Sequence, residues 1–423
     1  MTETLDAASL DLRKILRPGD RIVMGQACGE PSTLVEALIA RGGEIGGLSL
    51  FVATSFSGLL TPAATESFEL ASMGAIGALR AVTKANRLTV VPCHVGRIGP
   101  LIEDGRFGCD VAFVQVSPAD EEGRHSYGLI SDHVAAAVSA ARVVVAEVND
   151  QVPYTYGETL ASADIDYAVM VSRPPVQVPP APIGATDEAI ARHVAAFIED
   201  GAVLQTGVGA VPDAVLRLLG DRTDLGVHSG MLGDGLVDLV EAGVVTNARK
   251  AIDRGVSVTG ALIGTDRLYR FAHRNPAVVM RTTDYTHDAA VLARLDRLVT
   301  VNSAMEVDLT GQVNAEQSGA AYLGGTGGQV DFVRAGARSR GGHGIIALPA
   351  TAKGGTLSRI TAALNGPVTT ARSDVDVVVT EFGAAELQGV SLAERTRRLI
   401  AIAHPDFRED LDRAAAVIRQ RGF

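Results

Sequence analysis

The 423-residue sequence contains no tryptophan, and aromatic residues make up only 4% of it. A core must therefore be built from Ala, Val, Leu and Ile rather than from stacked rings. Cysteine is equally scarce. Cys28, Cys93 and Cys109 are too few and too scattered for a disulfide framework or a zinc site, so each is expected to pack as a small apolar residue. The histidines, His125, His133 and His343 among them, lack metal-ligand spacing, and no metal is expected. No run approaches the ~18 uninterrupted apolar residues of a membrane span. The opening MTETLDAASLDLRK has no apolar signal core, so a cytoplasmic, reducing location is expected, with no membrane partner. Positive charge is also short: 38 Lys and Arg face 49 Asp and Glu, for a net charge of −11. Nucleic-acid binding relies on a basic surface and is excluded on that ground. A phosphate held locally by backbone amides is not.

What is present is ordinary for a packed protein: 47% hydrophobic residues and 46 glycines. At this length roughly two domains are expected. The first half alternates β-branched runs (Arg21–Met24, Leu48–Ala53, Leu88–Pro92, Val111–Val116, Val143–Glu147) with Ala/Leu-rich segments at 32–41 and 132–140. Asp132 is placed to cap the second of these helices. The segment RPPVQVPPAPIG (173–184) holds five of the 17 prolines, continues neither helix nor central strand, and reads as a linker. Alternation then resumes, with strands expected at 202–206, 225–228, 298–302, 344–348 and 375–380 and helices at 186–199, 211–219 and 234–242. The fold class is α/β, with domains at 1–180 and 185–423, each a mostly parallel sheet covered by helices.

Three glycine-rich loops follow predicted strands of the second half. In QTGVGAVPDAVLRLL (205–219), Gly207 and Gly209 flank a turn into a helix whose N-terminal amides suit an anion or a developing oxyanion. In LGGTGGQVDFVRAGARSRGG (323–342), a side-chain-poor backbone near Asp331 precedes Arg334, Arg338 and Arg340, which are candidates to meet phosphates. In LPATAKGGTLSRI (348–360), Lys353 offers a point charge. The first loop lacks the third glycine of a dinucleotide fingerprint, since position 212 is Pro, so a nicotinamide dehydrogenase is rejected.

Longer stretches carry a family resemblance. DVAFVQVSPADEEGRHSYGLISDH (110–133), VVVAEVNDQVPYTYGETL (143–160), DLGVHSGMLGDGLVDLVEAGVVTN (224–247), VNSAMEVDLTGQVNAEQSG (301–319), GGTGGQVDF (324–332), LPATAKGG (348–355) and VVTEFGAAELQGVSLAER (378–395) resemble, in order, the acetyl-CoA hydrolase/transferase family. The resemblance implies two similar α/β domains with the active site between them, and a homodimer. It implies coenzyme A as substrate and product, with no permanently bound cofactor. Acyl-CoA and a small carboxylic acid are the implied partners. Carried over by motif, Gly207, Val208, Gly209, Met305, Gly324, Gly328 and Lys353 would contact coenzyme A, and the amides of Val208 and Gly328 would form an oxyanion hole. The stretches 28–38 and 53–60 match walls of the family's acyl pocket, and Tyr154 and Tyr156 are candidates to face the same cleft.

One position departs from the pattern. Where the family's transferases carry a glutamate that becomes a glutamyl-CoA intermediate, the matching stretch is His228-Ser229-Gly230-Met231. Glycine cannot act as that nucleophile. The expected activity is therefore CoA transfer or acyl-CoA hydrolysis without the usual intermediate. Water activated by His228 or Glu316 could attack, or another carboxylate (Glu306, Glu316 or, less favourably placed, Glu241) could take over. Ser229 is expected to hydrogen-bond locally. A non-catalytic acyl-CoA-binding protein is the alternative from another class.

Overall fold

A computed structural model describes residues 2–420. The chain divides into two compact units, each discontinuous: residues 1–179, 230–234 and 256–288 form the first, and 180–229, 235–255 and 289–423 the second.

The first unit is organised by an eight-stranded sheet in the order Glu3–Asp6, Tyr167–Val171, Val143–Asn149, Val111–Val116, Arg21–Met24, Ser49–Phe51, Glu69–Ser72, Leu88–Val90. Every neighbour pairs in parallel. All six residues of Val111–Val116 are buried, as required of a strand covered on both faces. Phe113, Leu34, Leu38, Leu50, Val145 and Val169 pack in one core, which supplies with aliphatic side chains what the missing aromatics cannot. Ser257–Leu262, also buried throughout, pairs in parallel with Val278–Met280, which pairs with Tyr156–Gly157.

In the second unit the order is Gly383–Glu386, Val377–Thr380, His343–Ala347, Leu298–Ser303, Val203–Thr206, then the first half of Gly226–Leu232. These pair in parallel except at the outer edge, where Gly383–Glu386 runs antiparallel. Parallel strands need crossovers, so consecutive strands deliver their C-terminal ends, and the loops after them, to one edge.

Arg21–Met24 and Val111–Val116 form with the bounds read from sequence. Two expectations are corrected. The 225–228 strand continues to Leu232, so His228 lies mid-strand rather than at its end; Gly230 does not break a strand whose neighbours hold it extended. Asp132 caps no helix. The helix is Val134–Ala140, His133 stands at its N-cap, and Asp132 sits at φ +21 with its side chain turned elsewhere. The proline-rich segment is held down in part: the Val178 amide donates to the Gly264 carbonyl (2.9 Å) and the Tyr269 hydroxyl donates to the Val176 carbonyl (2.6 Å). Glu3–Asp6, Glu69–Ser72 and Ser257–Leu262 were not readable as strands, because Glu, Asp, Gly and Ala dilute the β-branched signal and pairing partners decide instead. Cys28 and Cys109 are buried and Cys93 half-buried, none of them in a disulfide, and burial raises the pKa of Cys28, Cys109 and Cys93 to about 11, 12 and 11.

Candidate active site

In the second unit the sequence-predicted residues converge on the carboxyl edge of the parallel strands. Val203–Thr206 lies between Leu298–Ser303 and Gly226–Leu232, and Leu298–Ser303 lies next to His343–Ala347. After Thr206 come Gly207, Val208 and Gly209; after Ser303 comes Met305; after Ala347 comes the loop reaching Lys353. Gly209 adopts φ +129 and caps the helix Ala210–Arg217, a conformation only glycine holds without strain. A Cβ at Gly207 or Gly209 would meet nothing within 4 Å, so these glycines leave the backbone approachable rather than filling a tight contact.

A second helix, Gln329–Arg338, starts at Gly328. Gln329 anchors it: its Nε2 donates to the Ser303 carbonyl (2.7 Å) and its Oε1 accepts from the Thr370 hydroxyl (2.8 Å). The N-terminus of this helix is thus tied to the end of Leu298–Ser303, beside the strand that feeds the first helix. Orphan amides at two helix N-termini supply partial positive charge suited to phosphate or a developing oxyanion. Across the same strands Asn302 Nδ2 donates to Gln205 Oε1 (3.0 Å), a pair whose members the sequence reading did not single out. Nothing in sequence spacing joins residues 97 apart; the strand register does.

The remaining candidates take distinct places. Gly324 is packed: a Cβ there would lie 2.2 Å from the Ala315 carbonyl oxygen, and the Leu323 and Gly324 amides both donate to the Glu316 carbonyl. The Glu316 carboxylate is buried and accepts from the Tyr322 and Thr369 hydroxyls (2.6 and 2.7 Å). Glu306 accepts from Asn314 and Asn365. His228 is fully buried, and the Ser229 hydroxyl donates to the Thr206 carbonyl on another strand (3.0 Å), not to a neighbour in sequence as expected. Lys353 is exposed at φ +50, in the turn between Thr351–Ala352 and Leu357–Ser358. The arginines depart from expectation. Arg334 pairs with Asp374 (2.8 Å) and Arg340 with Asp296; both lie down-chain of the helix start, Arg340 beyond the end of a helix roughly 15 Å long.

In the first unit the two predicted wall segments are joined by one carboxylate. Glu30 is 1% exposed and accepts from the Ser55 and Ser57 hydroxyls and the Phe56 and Ser57 amides, at 2.6–3.1 Å. Burial still pushes its pKa up, because desolvation outweighs even four donors. The Tyr154 and Tyr156 rings meet edge-on with centroids 6.2 Å apart. Tyr154 donates its hydroxyl to Asp120 (2.7 Å) and lies under Arg274.

Family models cover most of the chain: the acetyl-CoA hydrolase/transferase N-terminal domain matches residues 7–180 and the C-terminal domain residues 264–415. The chain belongs to the acetyl-CoA hydrolase/transferase family. It is 41% identical to the 4-hydroxybutyrate coenzyme A transferase of Clostridium kluyveri over 92% of either chain. Among solved structures, RipA from Yersinia pestis superposes with a TM-score of 0.93 at 35% identity, covering 99% of this chain and 98% of that one. The 4-hydroxybutyrate CoA-transferase abfT-2 of Porphyromonas gingivalis gives 0.83 at 34%, covering 99% and 98%. The α/β fold of this family is therefore the fold of this chain, and the chain is an enzyme of CoA transfer or acyl-CoA hydrolysis. Among the described residues no helix is long and apolar enough to cross a membrane.

Proposed function

We propose that the enzyme transfers coenzyme A between an acyl-CoA and a small carboxylic acid, and does so without a glutamyl-CoA intermediate at position 230. The observation that carries transfer over hydrolysis is the 41% identity, over 92% of either chain, to a 4-hydroxybutyrate coenzyme A transferase. In this reading the loops at Gly207–Gly209 and Gly324–Gly328, with Met305 and Lys353, hold coenzyme A. The amides of Val208 and Gly328, at or just ahead of the two helix N-termini, stabilise the oxyanion formed when the thioester carbonyl is attacked. Each such donor contributes about 3 kcal/mol to the transition state, because it is already oriented when charge develops. His228 and Glu316 act around that centre by positioning, since one is fully buried and the other is engaged by two hydroxyls.

The test follows free thiol and acyl exchange in parallel, using short acyl-CoAs with and without added carboxylic acids. Exchange that depends on the acid and releases no net thiol supports transfer. Acid-independent thiol release assigns hydrolysis instead, with water as the attacking group. Tight binding with neither signal means a non-catalytic binder. A Gly230→Glu variant adds a second reading: acetate-dependent transfer above wild type would mean that the rest of the machinery is arranged around that position.

A further inference from the structure

CoA transfer between two acids can run through a group that holds an acyl moiety and then coenzyme A, and a carboxylate can form both the anhydride and the thioester. Several buried carboxylates are already committed to structure. Glu30 is held by four donors. Glu147 accepts from the Thr33 and Leu34 amides at the start of a 14-residue helix. Asp308 accepts from Thr310 and Gln312.

Asp132 differs. It is 4% exposed, and among the described residues its one donor is Gln26, whose Nε2 bonds to Oδ2. Its other oxygen, Oδ1, is 2.3 Å from where a Cβ on Gly260 would sit, and the same point is 3.2 Å from the Gly230 carbonyl oxygen. The two oxygens are therefore at most about 5.5 Å apart, and the absence of a side chain at 260 leaves the carboxylate its space. Asp132 also lines a cavity of about 250 Å³ with Gly99, Ala136, Thr282, Thr283 and Glu158, small enough to select a short acyl chain. Its backbone sits at positive φ in place of the helix cap the sequence led us to expect, the kind of local cost that concentrates at functional sites.

We infer that Asp132 is the catalytic nucleophile of this enzyme. The inference rests on the transfer reading above. A carboxylate oxygen of Asp132 attacks the thioester carbonyl, the C–S bond breaks, and coenzyme A leaves as thiolate from an acyl–aspartyl anhydride. The thiolate then attacks the aspartyl carbonyl carbon, the anhydride C–O bond breaks, and the first acid departs as its carboxylate. The result is an aspartyl-CoA thioester. A second carboxylate reverses both steps, so no proton or oxidant is consumed.

Burial raises the Asp132 pKa to about 7, opposed only by the Gln26 bond. The other titratable groups around it are His133, held neutral by burial with its pKa lowered to about 4, Glu158 paired with Arg281 (3.3 Å), and Glu103 and Asp284, exposed on the cavity lining. The ionised form is the nucleophile, so kcat/KM should rise with pH up to about 7 and then level.

The test treats the wild-type enzyme with an acyl-CoA, reduces it with borohydride, and maps the peptides. Reduction of an aspartyl thioester leaves homoserine at position 132, which is the expected product. Alongside, Asp132→Asn should lower transfer by more than about 10³-fold, the scale of removing a nucleophile while binding survives. Coenzyme A affinity and the unfolding temperature serve as controls. Reduction at another carboxylate, no reduction during active transfer, or an Asp132→Asn variant within about tenfold of wild type overturns the inference and leaves the transfer reading standing. Absence of any acid-dependent exchange by the wild type overturns both. The wild-type adduct needs no variant to fold.

Discussion

The two units prepare for anionic ligands in opposite ways. The second exposes backbone: glycines without close neighbours at 207 and 209, and two helix N-termini tied by Gln329 and by the strand order to one sheet edge. The first buries side-chain charge: Glu30, Asp132 and Glu147 are each under 5% exposed, and burial raises the pKa of all three. Amides bind an anion without any charge of their own, so they cost the fold little. A buried carboxylate costs desolvation at all times and is tolerated only where donors or function offset it. Stability should therefore be sensitive to carboxylates in the first unit, while binding should be sensitive to glycines in the second.

Five substitutions sharpen or break that contrast, beyond the loss of turnover expected for Asp132→Asn. The largest is Glu30→Ala. Removing an acceptor of four donors, itself buried, should cost about 3 kcal/mol or more, read as a lower denaturant midpoint; a change under about 1 kcal/mol would mean the wall segments do not depend on Glu30. Next is Gly209→Ala, which forces a side chain to φ +129 at about 1–3 kcal/mol and should weaken coenzyme A binding. Gly207→Ala, at ordinary φ with open space around it, should leave the unfolding temperature unchanged while still lowering affinity. If Gly207→Ala unfolds early, the loop is packed and the contrast fails.

Glu147→Gln tests the pH axis. The folded-state pKa of Glu147 is raised from 4.5 to about 7, so the folded state binds its proton more tightly than the unfolded chain does. The associated stabilisation is complete below 4.5 and fades as pH rises through about 7. Glutamine keeps an acceptor for the Thr33 and Leu34 amides without the titration. Relative to wild type, the variant should gain stability between pH 5 and 8, by about 2 kcal/mol; a pH-independent difference would refute a raised pKa. The smallest effect belongs to Ser229→Ala, which removes the hydroxyl bonded to Thr206 at about 1 kcal/mol with turnover within a few-fold. A collapse of turnover in that variant would make Ser229, not a carboxylate, the attacking group.

Much of this was legible in the sequence. The alternation of β-branched runs and amphipathic segments specifies parallel α/β layers, because burial on both faces demands continuous apolar strands. Glycines immediately after such a strand pointed to Gly207 and Gly209, since the carboxyl edge is where loops meet ligands, while Gly328 came from the family resemblance. Sequence alone therefore determined the fold class and the family. Only the tertiary structure decided the rest. Strand order joined Asn302 to Gln205, ion pairing set Asp374 and Asp296 against Arg334 and Arg340, and tertiary packing left Asp132 against Gly260 and bonded to Gln26 rather than capping a helix. Local periodicity reports which face of an element is buried. It carries no information about which buried side chains, a hundred residues apart, are brought within reach of one another.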